Sequence, residues 1–200
     1  MTRWIVGIVL AIALMLVPTS TYYGNNTLNP IFITKESKKK RGKESMDNVM
    51  IQLMRHEGSV KENGLHRMYK CPAGFNTIGY GHNVDAHPLK GAQKAYYEKN
   101  GGLDDTLVNE LLRDDTYAVF NQLDSLYDWF DELDEVRQDV LVNMGFNLGM
   151  SGLSKFKKML AAVEAGEYKH AADEMTKSLW YKQVGNRAKE LVEQMRTGER

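Results

Sequence analysis

Residues Arg55 to Asn83 read RHEGSVKENGLHRMYKCPAGFNTIGYGHN, and the reading of this stretch decides the fold. It opens on an acid, Glu57, and closes on the glycine-rich run Thr77-Ile78-Gly79-Tyr80-Gly81-His82. A run with that density of glycine among β-formers is a tight hairpin or loop. Between the two sits Cys71, the only cysteine in 200 residues, so no internal disulfide framework exists. An acid, a thiol and a threonine close together suggest chemistry, which makes Glu57, Cys71 and Thr77 the candidate catalytic groups.

Working upstream, Met46, Val49, Met50, Leu53 and Met54 repeat at helical spacing, Ser45 can cap the helix and Gly58 is its natural stop. Glu57 therefore stands at a helix C-terminus, where the macrodipole disfavours a carboxylate. A proton donor suits that place, although a lone glutamate at a helix end is ordinarily a solvated surface residue. Working downstream, Tyr69 to Val84 alternates and turns as a small antiparallel sheet, and His87 to Gly102 reads as loop with a short helical piece. From Leu103 the chain is helical to its end. Asp104-Asp105 open a long helix, Asp134 can cap the next and Gly149 can end it. Shorter helices are expected over 153–165, 168–178 and 186–196. Few strands, placed early, before many helices predict an α+β architecture: a small lobe with a short antiparallel sheet, a long connecting helix and a larger helical lobe. The cleft between two such lobes is the default binding site.

Charge narrows the function. Residues 1–44 carry seven Lys/Arg against two Asp/Glu, and residues 45–200 carry 19 against 24. A nucleic-acid binder shows a basic face on its folded part. Here the folded part is acidic, which argues against nucleic acid. At the N-terminus Arg3 precedes an unbroken apolar run of fourteen residues, Trp4 to Val17, stopped by Pro18. A membrane-spanning helix wants about 20 residues, so the run fits a signal-peptide core better. Pro18-Thr19-Ser20 is a poor cleavage site, which leaves either weak cleavage or a retained anchor. The sequence thus divides into a signal or anchor segment over 1–20, a flexible basic linker over 21–44 and a folded domain over 45–200. Export is the expectation.

Four stretches then carry a resemblance. They are Glu57-Gly58 closing the first helix; Tyr69-Lys70-Cys71 leading to Thr77-Ile78-Gly79-Tyr80-Gly81-His82; Asn143-Met144-Gly145-Phe146-Asn147-Leu148-Gly149; and Trp180-Tyr181-Lys182-Gln183-Val184-Gly185-Asn186-Arg187-Ala188-Lys189, ending in Arg196-Thr197-Gly198. In this order, over about 45–198, the chain resembles the phage-type lysozymes, glycoside hydrolase family 24. The resemblance implies a lysozyme-like fold and cleavage of the β-1,4 bond between N-acetylmuramic acid and N-acetylglucosamine in peptidoglycan. It implies Glu57 as general acid and Thr77 as a holder of the attacking water. Cys71 stands where the family's best-known member has an aspartate. The resemblance sets His82, Asn83, Phe146, Asn147 and Arg187 along the substrate cleft, with His82 bracing the small lobe against a long-helix aspartate, Asp115, and Arg187 near Glu57. Trp180 matches a buried aromatic. The ten residues between Gly58 and Tyr69 are more than that member has, and the extra length falls in Lys61 to His66.

The resemblance further implies no cofactor and no metal, peptidoglycan glycan strands as partner, and a monomer. With the apolar N-terminal run it looks like the exported kind of endolysin. Such a protein would be carried to the host periplasm, held at the inner membrane, and released when the membrane potential collapses. Two other readings share the residues. A lytic transglycosylase needs one glutamate and no base, and a non-catalytic wall-binding protein on the same scaffold needs neither.

Overall fold

The computed structural model describes residues 35–200, with side chains from Met46 onward. The apolar run over 4–17 lies outside the described residues. Among the described residues no helix is long and apolar enough to cross a membrane.

The first helix, α1 (Lys35–Glu57), starts earlier than Ser45, so residues 35–44 of the expected linker have helical backbone. The reason is compositional: Lys, Arg and Glu are strong helix formers, and no proline interrupts them. Its expected stripe is confirmed, with Met46, Val49, Met50 and Leu53 buried. Two small sheets follow. The hairpin β1 (Lys61–Glu62) and β2 (Leu65–His66) turns at Asn63-Gly64, both at positive φ (52° and 78°). That is the backbone a two-residue hairpin turn demands, and Asn-Gly supplies it at little cost. The extra length of this region is thus a hairpin. Its base is tied down by a backbone pair between His66 and Leu103.

The second sheet has strands β3 (Tyr69–Lys70), β4 (Asn76–Ile78) and β5 (His82–Asn83) in the order β3-β4-β5, all antiparallel. Tyr69 pairs with Thr77 and Thr77 with Asn83. Directly paired residues put their side chains on one face, so Tyr69, Thr77 and Asn83 share a face. Cys71 joins them by alternation, because its amide extends the ladder to Phe75 O (3.0 Å).

A short helix, α2 (Gly91–Asn100), leads to the long α3 (Asp105–Leu126), whose Asp104 side chain caps the Leu107 amide (2.9 Å). Asp134 caps α4 (Glu135–Leu153) through the Arg137 amide (3.0 Å). The helical course of α4 breaks at Gly149 (φ 68°), where the sequence suggests an end, and resumes for one more turn. Then come α5 (Lys157–Glu164), α6 (Tyr168–Thr176), α7 (Leu179–Val184) and α8 (Asn186–Thr197). The helix α7 has no counterpart in the apolar pattern, because six residues are too few to show a period.

The core is double. Ile78, Leu89, Leu103, Val108 and Leu111 form the small-lobe cluster. The larger cluster joins α1, α3, α4 and the C-terminal helices. The helix α3 serves both, with Val108 and Leu111 in the first and Leu112 and Leu123 in the second. This is the α+β, lysozyme-like arrangement expected from the sequence: small sheet lobe, connecting helix, helical lobe.

Candidate active site

Glu57 is the last residue of α1, and its side chain is only 2% exposed. A carboxylate taken that far from water needs a partner. Arg187 provides it: Nη1 donates to Glu57 Oε1 at 2.5 Å, and the guanidinium is itself 8% exposed. Arg187 is held in turn by Asn143 on α4, whose Oδ1 accepts from Nε (2.9 Å) and whose backbone carbonyl accepts from Nη2 (3.1 Å). One end of the guanidinium is thus fixed by α4 and the other presented to the acid, as the planar fork of arginine allows.

The small lobe reaches Glu57 through the β4–β5 turn. At Gly81 (φ 91°) a side chain would point between Phe146 and Glu57, its Cβ falling 3.5 Å from the Phe146 ring and 3.8 Å from Glu57 Oε2. The positive φ is what favours glycine here, since a Cβ would meet both walls in ordinary van der Waals contact. The turn thus brings the sheet lobe up to both the acid and the α4 wall.

Behind Gly81 lies the shared sheet face. Thr77 is 2% exposed and its Oγ1 donates to Phe75 O (3.2 Å). Cys71 is a free, buried thiol. Burial, then the neighbouring charges of Glu57 and Cys71, push the Tyr69 phenol up to about 12.

The remaining predicted residues divide. His82 Nδ1 meets Asp115 Oδ2 at 2.8 Å, the brace expected, and Nε2 meets His87 O at 2.8 Å. Both ring nitrogens are committed, so His82 holds the sheet to α3 and leaves no ring nitrogen for a sugar. Burial opposes its charging, but the Asp115 hydrogen bond and charge outweigh burial and raise its pKa. Asn83 Oδ1 accepts from the amides of Asp85 and Ala86 (3.1 Å each), a turn-capping role. Asn147 Oδ1 accepts from buried Trp180 Nε1 (2.8 Å), which fixes the large-lobe wall beside Phe146. Asp85, the nearest carboxylate in sequence to the sheet motif, is spent on Asn76, accepting from its amide and its side chain (2.7 Å each).

Sequence reasoning misses the support behind Arg187. Asn143 Nδ2 donates to Gln52 Oε1 (3.0 Å) and faces His56 Nδ1 (3.4 Å). Gln52 Nε2 and His56 Nε2 both reach Glu190, at 2.9 and 3.0 Å. The available signal was polar residues on apolar stripes, with Gln52 beside Leu53 on α1 and Asn143 between Val142 and Met144 on α4. Among the described residues no cluster of histidine, cysteine or acidic side chains could hold a metal ion.

The geometry agrees with comparison to known proteins. The family model for phage lysozyme matches residues 60–198, which hold every site residue named above except those of α1. The chain is 28% identical over 146 residues to "Probable T4-type lysozyme 2" of Dictyostelium discoideum, covering 66% of this chain and 86% of that one. It is 26% identical over the same length to "Probable T4-type lysozyme 1" of that organism. A shorter match, 40% identical over 62 residues, links 31% of this chain to 11% of the "Pre-baseplate central spike protein Gp5" of Enterobacteria phage T4. With a sheet lobe closing on a buried, arginine-paired glutamate and a family match over most of its length, the chain belongs to the phage lysozyme family of glycoside hydrolases.

Proposed function

We propose that the protein is an endolysin: a muramidase that hydrolyses the β-1,4 bond between N-acetylmuramic acid and N-acetylglucosamine in peptidoglycan and so lyses the host cell. The observation that carries this reading is Glu57, buried, held through Oε1 by Arg187, with Oε2 toward the Gly81 turn and Phe146. In this reading Oε2 gives its proton to the glycosidic oxygen as the bond from that oxygen to the anomeric carbon breaks. Water adds to the same carbon from the opposite face, oriented by Cys71 and Thr77, and the proton it sheds returns to Glu57 through solvent. Anomeric configuration inverts. The buried sheet face shared by Thr77 and Cys71 supports their pairing in this role.

The test is the product. Mass spectrometry of digested cell wall is expected to show free reducing muramic ends. A 1,6-anhydro end would overturn hydrolysis in favour of transglycosylation. Glu57→Gln is expected to abolish lysis while wall binding persists, and lysis that survives this change would remove Glu57 from the mechanism. We further propose that the apolar run over 4–17 exports the enzyme to the periplasm and tethers it at the inner membrane until the membrane potential falls. Its length and single preceding arginine support this.

A further inference from the structure

Arg187 and Glu57 do not stand alone; they end a polar chain that begins on the far side of α1. Glu190 on α8 anchors it. Its Oε1 accepts from Gln52 Nε2 (2.9 Å) and from Arg55, and its Oε2 meets His56 Nε2 (3.0 Å). Gln52 and His56 then share one partner, the amide of Asn143, which is fully buried. The amide has one consistent orientation. Its oxygen faces Arg187 Nε, a donor, so its nitrogen faces Gln52 Oε1 and His56 Nδ1. A nitrogen that carries two hydrogens needs two acceptors there. His56 Nδ1 must therefore be unprotonated, which leaves the hydrogen on Nε2, where Glu190 accepts it.

We propose that His56 is a positioning residue for the catalytic acid, acting as the neutral Nε2–H tautomer that lets Asn143 grip Arg187 and Arg187 hold Glu57. This rests on the reading of Glu57 as the proton donor. His56 lies next to Glu57 in sequence yet acts on it by a path through two other helices. Protonation of Nδ1 would set a donor against the donor of Asn143. It would also place a second cation in the pocket of Arg187.

The charged groups that bear on the ring are Arg55 on α1 and Arg187 and Glu190 on α8; from α4 the neutral Asn143 meets it, and one turn away the buried Asp139 lines the same groove as Gln52, Arg55 and Glu190. Burial, aided by Arg187 and Arg55, outweighs the pull of Glu190 and holds the His56 pKa below the ordinary value. The neutral form is thereby favoured at neutral pH, and charging it disturbs the acid only as pH falls.

The experiment is a kinetic series on the full-length enzyme with soluble peptidoglycan fragments. His56→Leu is expected to lower kcat roughly tenfold with KM within twofold, since a small displacement of a catalytic group costs rate more than binding. His56→Asn places a carbonyl oxygen where Nδ1 stands. It is expected to recover most of that loss and to shift the acid limb of the kcat profile to lower pH, because its oxygen does not titrate. Equal kcat and pH profile for both variants and the parent would overturn the proposal, as would a loss confined to KM. Histidine ¹⁵N NMR of the unaltered protein gives a check independent of variant folding: at pH 7, His56 is expected neutral with its proton on Nε2, and a proton on Nδ1 refutes the proposal. Failure of the parent reading is distinguishable, because Glu57→Gln would then stay active whatever His56 does.

Discussion

At the scale of single residues, the proposed chemistry rests on one buried ion pair and one buried thiol. Arg187 and Glu57 are each less than one-tenth exposed, so removing one partner strands the other. Arg187→Leu is expected to destabilise the protein by about 3 kcal/mol, the range for a broken buried pair, as a lower urea midpoint at unchanged slope. A loss under about 1 kcal/mol would mean that water reaches the pair and solvates the orphan. Cys71 tests the second half of the mechanism. If it orients water, Cys71→Ala should lose on the order of tenfold or more in kcat, and Cys71→Asp should retain activity, since a carboxylate can take that role. Should Cys71→Ser match the parent while Cys71→Asp gains nothing, the thiol is a spacer. Glu57, Cys71 and Thr77 stand out as candidates in the sequence because each is a reactive type at a recognisable turn or helix end. Gln52, His56 and Glu190 were not, since their meaning lies in contacts across more than 130 positions of sequence, from α1 to α8.

At the scale of elements, caps and turns set the frame and a histidine fastens it. Replacing Asp104 by Ala removes the acceptor for the Leu107 amide and is expected to cost about 1 kcal/mol in unfolding free energy. The brace between β5 and α3 carries a pH signature. The folded state raises the His82 pKa above its ordinary value. Its contribution is then fully present below the unfolded pKa of about 6.5 and is lost as pH rises through the folded value. The stability gap between the parent and His82→Gln is therefore expected to be wider at pH 5.5 than at pH 8.5 in paired urea titrations. A gap that widens with pH would assign the brace to the neutral ring. Helix ends with a chemical mark, Gly58, Asp104, Asp134 and Gly149, were readable from sequence. The start of α1 and the whole of α7 were not, the first because helix formers run past the cap, the second because it is one short segment fixed by Ser178 capping the Tyr181 amide (3.0 Å).

At the scale of the whole molecule, two cores share one helix, and α3 carries the load between them. That division was legible in the order of strands and helices, whereas the closeness of the lobes at Gly81 required coordinates. The proposed tether makes a prediction at this scale. Cell fractionation should find full-length protein with the membrane before depolarisation and soluble after it. A chain shortened by about 20 residues at all times would show a cleaved signal instead.

The burial of Cys71 offers a way to watch the fold open. It is the one thiol in the protein, it follows β3 in the small lobe, and it is buried. A thiol-reactive dye can modify it only when that lobe opens, so the rate of modification at saturating dye becomes a clock for opening. At low dye, where reclosing outpaces labelling, the ratio of the modification rate to the rate in denaturant gives the population of the open lobe. It does so without a substrate or any change to the sequence.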